Sequence, residues 1–285
     1  MWALFWMCYN PGMFFQEFIK ETILGAGKVI LEEEKKLKIE QKASFTDLVT
    51  NADKASEEFI ISAIKKTFPD HTVLAEESSL GAEKDLENFK KAKYIWIIDP
   101  IDGTTNFAHG LPLYSISIAL FQKKTAKSSN NFDYLSGELI AGAVYAPRLN
   151  ELFYAEKGQG AFLNDQPIHV SGAETLKQAL TVTGFPYVQK EQNLPYFQTM
   201  LFTSQAVRRL GSAALDLCYT AAGRFDVYWE FGLKPWDVAA GALIVEEAGG
   251  LVTDTTGGTL DLFGSDILAT NKLLHDETLE LFDKI

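Results

Sequence analysis

Asp99 and Asp102 stand three residues apart in Trp96-Ile97-Ile98-Asp99-Pro100-Ile101-Asp102-Gly103-Thr104-Thr105. Two carboxylates this close repel unless one is protonated or a cation lies between them, and an oxygen-only donor set suits Mg²⁺ or Mn²⁺. In isolation, Asp-Pro followed by Asp-Gly reads as a solvated turn. Three further acidic segments change that reading: Asp53, Glu76-Glu77, and Asp237 in Lys234-Pro235-Trp236-Asp237. Each sits at the boundary of a segment rather than on a helical face. Taken singly, Asp53 and Asp237 fit helix N-terminal charges, and Glu76-Glu77 fits a strand-exit turn. Together they supply enough carboxylate oxygen to hold two or three Mg²⁺ ions and activate a water. The four histidines, His71, His109, His169 and His275, are scattered and not at ligand spacing, which disfavours zinc.

These residues need elements to hold them. Tyr94 to Ile98 is an apolar, β-branched and aromatic run that reads as a buried strand. Asp99-Pro100 ends it, because proline cannot donate to a sheet ladder. The two carboxylates then emerge at the strand's carboxyl end, where α/β proteins place ligand sites. Phe15, Ile19, Ile23, Ala26 and Ile30 recur at helical spacing, predicting a helix from Met13 to about Glu34 after a Pro11-Gly12 break. A second helix takes Asn51 as its N-cap, turns Phe59, Ile60, Ile64 and Phe68 to the core, and stops at Pro69. Residues 72–75 form a short strand delivering Glu76.

Beyond the central motif, period-two segments at 115–120, 138–145, 151–156 and 161–163 predict antiparallel strands. From Thr175 onward helices and strands alternate. Strands are predicted over 180–184, 225–230, 251–253 and 267–269, and helices over 196–207, 212–222, 238–248 and about 272–282. The order implies a layered α+β or α/β protein, antiparallel-rich to about residue 185 and mixed thereafter.

At 285 residues the chain can bury a large core. With 26 basic and 38 acidic residues its net charge is −12, so neither nucleic acid nor an anionic membrane is expected as a partner. Cys8 and Cys218 are too few for a disulfide framework and fit a reducing cytoplasm. Residues 2–9 are apolar but too short to span a bilayer, and they lack the flanks of a signal peptide. Residues 1–12 therefore read as an N-terminal extension outside the fold, and 13–285 as a single catalytic domain.

Leu74-Ala75-Glu76-Glu77-Ser78, the stretch from Trp96 to Phe107, and Trp236-Asp237-Val238-Ala239-Ala240-Gly241 resemble the three signature motifs of the inositol monophosphatase family. These are Mg²⁺-dependent, lithium-sensitive phosphatases, and the likeness runs in order along the chain from Met13. Arg208-Arg209-Leu210-Gly211-Ser212-Ala213-Ala214 and Tyr228-Trp229-Glu230 resemble its bacterial branch. Ala75 stands where many members carry glycine.

The resemblance implies a layered αβαβα sandwich, commonly a homodimer. It implies two or three Mg²⁺ ions, with Mn²⁺ as a substitute. Glu76, Asp99 and the carbonyl of Ile101 would hold the first; Asp99, Asp102 and Asp237 the second; Glu76 would help with a weak third. Asp53 and Thr104, with Glu76, would orient and activate the attacking water, so that no phosphoenzyme forms. Asp102, Gly103, Thr104, Thr105 and Asp237 would contact the phosphate end of the substrate, and Gly211, Ser212, Ala213 and Glu230 its hydroxyls. Lys42 matches a lysine the family has near its site, and equally fits a surface lysine in a charged run. The expected substrate is a small phosphate monoester, foremost myo-inositol monophosphate. Fructose-bisphosphatase activity, adenosine bisphosphate nucleotidase activity, and a regulatory or binding role on the same scaffold are the alternatives.

Overall fold

The computed structural model describes residues 11–41, 48–78, 92–124, 137–186, 189–264 and 266–285. Helix α1 spans Pro11–Glu33 and so begins ahead of the predicted Met13. Proline lacks an N–H that a first helical turn leaves unpaired anyway, so Pro11-Gly12 opens the helix instead of breaking the chain. Ile19, Ile23, Ala26 and Ile30 are buried along one face. A short antiparallel pair, β1 (Ile39–Gln41) and β2 (Leu48–Thr50), follows and was not predicted.

Helix α2, Asn51–Thr67, is capped by Thr50 rather than Asn51. Thr50 Oγ1 accepts from the amides of Ala52 and Asp53, and Asp53 Oδ2 accepts from the Thr50 amide in return. This reciprocal box satisfies the first-turn donors, and Asn51 instead accepts from the Lys38 amide. Ile60, Ile64 and Phe68 are buried as expected, but Phe59 is 39% exposed. Its ring lies over Gly25 of α1, where even a methyl group would come within 2.6 Å of it.

The larger sheet has strand order β3-β4-β5-β6-β7-β8-β9. Its strands are β3 (Thr72–Ala75), β4 (Tyr94–Asp102), β5 (Ser115–Lys123), β6 (Gly137–Ala146), β7 (Glu151–Glu156), β8 (Ala161–Leu163) and β9 (Gln166–Ile168). Only β3 and β4 pair in parallel. A short helix, α3 (Thr104–Ala108), leaves the end of β4.

The smaller sheet runs β11-β10-β12-β14-β13. It comprises β10 (Leu180–Thr183), β11 (Ala206–Arg208), β12 (Val227–Phe231), β13 (Leu251–Thr253) and β14 (Asp266–Thr270), and β10 is parallel to both its neighbours. Helix α4, Leu194–Thr203, ends short of the predicted Val207. Ala206 and Val207 pair instead with Leu180 and Thr181, a tertiary contact that outweighs helical propensity. Helices α5 (Ala213–Ala221), α6 (Pro235–Glu247) and α7 (His275–Phe282) complete the α-helices among the described residues.

Alternation along the strands assigns the layers. Trp96, Ile98, Ile116 and Ile118 pack with α1 and α2, whereas Ile95, Ile97 and Ala119 face α5 and α6. Tyr228 and Ile267 cover the other side of α5 and α6, and Val227, Trp229 and Leu268 turn outward to Met200 of α4 and Phe282 of α7. The result is an αβαβα sandwich. Among the described residues no helix is long and apolar enough to cross a membrane.

The site depends on one irregularity. β4 does not stop at Asp99: Asp99 pairs with Ser117 and Asp102 with Ser115, so Pro100 and Ile101 together oppose Ile116. Proline is tolerated at such a bulge because the ladder is already interrupted there. Ser56 of α2 steadies it by donating to the Pro100 carbonyl at 3.1 Å. In a regular strand, residues three apart point to opposite faces. The extra residue is what lets both carboxylates reach one cleft.

Candidate active site

The cleft opens where the ends of β3, β4 and β12 meet the first turns of α3, α5 and α6. Among the residues lining it are Glu76, Asp99, Ile101, Asp102, Gly103, Thr104, Gly211, Ser212, Ala213, Glu230 and Asp237. Asp53 lies directly beneath, fully buried, with Thr104 Oγ1 3.2 Å from its Oδ1. Thr105 is half-buried and does not belong to that lining. Lys42 lies outside the described residues, as do 1–10 of the expected extension.

Each carboxylate is anchored through one oxygen. Asp99 Oδ1 accepts from the Ile101 amide at 3.0 Å, and Asp237 Oδ2 from the Lys234 amide at 2.7 Å. Asp102 Oδ2 accepts from Ser212 Oγ and the Ala214 amide, both at 2.7 Å, at the N-terminus of α5. Helix N-terminal amides favour negative charge, so they orient these groups without neutralising them. Ser117 Oγ donates to the Trp236 carbonyl and ties the first turn of α6 to β5. Glu76 leaves β3 with its amide bonded to the Ile98 carbonyl. Buried Glu57 accepts from the Glu77 amide at 2.8 Å and fixes that turn.

Among the described residues no three acidic, histidine or cysteine side chains converge as a ready-made metal cage. The fit to a hard divalent cation rests on donor chemistry. The donors are all oxygen, and Asp99, Asp102 and Asp237 each keep a second oxygen with no hydrogen-bond partner among the described residues.

Electrostatics point the same way. Burial, then the charges of Glu76, Asp102 and Asp237, hold the Asp99 carboxyl well above the usual range. Burial and Asp102 raise Asp237 likewise. Burial lifts Asp102 to about 6, against the opposing bonds from Ser212 and Ala214. The metal-free cleft therefore holds its protons to higher pH than free carboxylates do, and a cation must displace those that remain. Mg²⁺ titration at pH 7 in buffers of different ionisation enthalpy should show net proton release, and a buffer-independent heat would contradict this.

The backbone shapes the cleft as well. Gly103 adopts φ 93°, and a Cβ there would lie 3.1 Å from the carbonyls of Gly211 and Leu113. Asn106 Nδ2 donates to the carbonyls of Leu113 and Leu210, joining α3 to the segment that enters α5.

Several residues of the site were not foreseen. Phe185, Pro186, Arg209, Phe231, Gly232 and Leu233 also line the cleft, and Glu57 braces it from behind. Two signals were available. Phe185-Pro186 stands one residue past the end of a strand, and Glu57 stands four residues after Asp53, on the same face of α2.

A sequence model described as the inositol monophosphatase family matches residues 14–285. A Neisseria meningitidis protein named putative Nus factor SuhB is 42% identical over 86% of this chain and 87% of its own length. A Thermotoga maritima fructose-1,6-bisphosphatase/inositol-1-monophosphatase is 39% identical over 87% of each chain. The solved structure of an inositol monophosphatase from Anabaena superposes with a TM-score of 0.80 at 38% identity, covering 97% of this chain and 98% of its own. An IMPase/NADP phosphatase solved with Mg²⁺ and phosphate gives 0.81 at 26% identity, covering 95% and 96%.

Proposed function

The chain belongs to the inositol monophosphatase family, and from the geometry of its cleft we propose a Mg²⁺-dependent phosphatase that hydrolyses myo-inositol monophosphate to inositol and phosphate. The observation that carries this reading is that Glu76, Asp99, Asp102 and Asp237 all line one cleft, beside Thr104 and the Asp53 it is bonded to. Glu76, Asp99, the Ile101 carbonyl, Asp102 and Asp237 would hold Mg²⁺ ions, which supply the positive charge that neutralises phosphoryl oxygens and acidifies a water.

The chain's own groups do the rest. Asp53 Oδ2 is fixed by the Thr50 amide at 2.8 Å and Thr50 Oγ1 at 2.5 Å, which leaves Oδ1 facing Thr104. Thr104 Oγ1 takes the proton of the attacking water as its own passes to Asp53. Phosphoryl oxygens approach the backbone at Gly103, where no side chain blocks them. Direct attack by water requires no phosphoenzyme. The same reading includes lithium inhibition, a homodimer and a reducing cytoplasm, consistent with the free, buried thiol of Cys218.

Glu230 is assigned the inositol ring. It sits at the cleft end of β12 and accepts from the Tyr228 hydroxyl at 2.9 Å. Burial raises its pKa to about 7, so it accepts a ring hydroxyl best above that pH. Hydrogen bonds to a charged group contribute about 1.5–3 kcal/mol, so Glu230→Gln should lower kcat/KM for inositol 1-phosphate roughly 10- to 100-fold. An aryl phosphate should lose far less, and equal losses on both would overturn the assignment.

A sugar bisphosphate is the second reading, favoured by Arg209, a cation lining an otherwise acidic cleft. Phosphate release from a panel containing inositol 1-phosphate, fructose 1,6-bisphosphate and adenosine 3′,5′-bisphosphate separates these substrates.

A further inference from the structure

Strand β10 ends at Thr183, and the residue after it, Gly184, meets Glu230 of β12. The two strands run parallel with Thr183 opposite Trp229, which brings Gly184 level with Glu230. A Cβ at position 184 would fall 2.0 Å from Glu230 Oε1 and 2.3 Å from both Cδ and Oε2. Its three nearest atoms all belong to that one carboxyl group. Gly184 does not have a positive φ, so no left-handed backbone calls for glycine there. What glycine supplies at this position is space.

The backbone around that space is braced. Asn193, fully buried, donates from Nδ2 to the Gly184 carbonyl at 2.5 Å and to Thr183 Oγ1 at 2.9 Å. Its Oδ1 accepts from the Trp229 indole N–H at 2.7 Å. Thr183 Oγ1 in turn donates to the Trp229 carbonyl. One amide thereby ties the end of β10 to the residue just before Glu230. Flipping it would set oxygen against the Gly184 carbonyl and N–H against the indole N–H, so the clamp has a single orientation. Two residues on, Pro186 closes on the end of β12, where a Cβ at Gly232 would lie 2.6 Å from the Pro186 Cβ. Between a braced backbone and the free end of a glutamate, the glutamate gives way.

We propose that Gly184 is a specificity-determining residue: the space left by its missing side chain seats the Glu230 carboxyl at the ring-binding end of the cleft, and the Asn193 clamp keeps that seat in place. This rests on Glu230 being the ring-binding residue. A methyl group at position 184 turns the carboxyl off the substrate ring and leaves Asp99, Asp102, Asp237 and the Thr104–Asp53 pair as they are.

The test uses the full-length, Mg²⁺-saturated protein and the variants G184A, E230A and G184A/E230A. G184A should raise KM for inositol 1-phosphate about 10-fold or more, the scale of one hydrogen bond to a charged group, with kcat and the turnover of an aryl phosphate unchanged. The double variant should be no worse than E230A, because both changes remove the same contact. In thermal melts G184A should fall below wild type, since the displaced carboxyl leaves the buried Tyr228 hydroxyl without its acceptor. G184A/E230A should melt at or above E230A, because alanine restricts the unfolded chain and nothing then obstructs it. A wild-type KM in G184A, equal losses on both substrates in G184A, or multiplied losses in the double variant overturns the proposal. So does a melting temperature lowered as much in the E230A background as in wild type, which would make Gly184 a requirement of the backbone. If G184A does not fold, the double variant decides: a fold rescued by removing the Glu230 carboxyl supports the proposal, and an unfolded double variant overturns it. Equal losses on both substrates in E230A overturn the ring assignment, and the proposal with it.

Discussion

Asp102→Asn is expected to lower kcat at least about 100-fold, the scale of losing one group that stabilises charge in the transition state. Asp102 Oδ2 is held between Ser212 Oγ and the Ala214 amide, and its other oxygen is the one left for a cation. An amide in the same place has two orientations, and both fail. Its oxygen can take the two donors while its NH₂ faces the cation, or its NH₂ faces the two donors and the α5 anchor is lost. The fold should survive, because Asp102 is one of the charges that raise the pKa values of Asp99 and Asp237. Relief of that repulsion should hold or raise the melting temperature of the metal-free variant. An Asp102→Asn protein with near-wild-type kcat would remove this carboxylate from the machinery.

Asp53→Asn should cost as much in kcat, about 10²- to 10⁴-fold, the range of a positioned general base. The reason differs. Asp53 is fully buried and accepts from Thr50 twice, and its Oδ1 shares the Thr104 hydroxyl at 3.2 Å with the Ile101 carbonyl at 2.9 Å. Asparagine can accept some of these bonds but cannot receive the proton from Thr104. One buried donor left unpaired should also destabilise the protein by about 1–3 kcal/mol, visible in denaturant melts. Thr104→Ala should lose a similar factor, and the double variant hardly more than either single, because the two residues move one proton. Multiplicative losses would show that they act separately.

The legible parts of this protein are those where pattern and tertiary demand agree. β3, β7, β8 and β13 have the predicted bounds because each buries one or both faces in a sheet whose period is two. The acidic segments were recognisable because each alone fits a capping or turn role, while the four together supply more carboxylate oxygen than those roles need. What escaped is held by contacts distant in sequence. The bulge at Pro100-Ile101 exists because β5 sets the register on either side, and no local pattern announces it. β11 reads as helix until Leu180 and Thr181 are there to pair with it. Phe59 sits on the apolar side of its helix yet packs over a glycine rather than in the core.

If the carboxylate cleft works by holding Mg²⁺ for the hydrolysis of a phosphate monoester, removing the metal must stop turnover. Phosphate release from inositol 1-phosphate by chelator-stripped protein, measured before and after Mg²⁺ is returned, tests it most directly. No turnover is expected until Mg²⁺ is added, and full recovery afterwards. Undiminished turnover with chelator still in excess would contradict it.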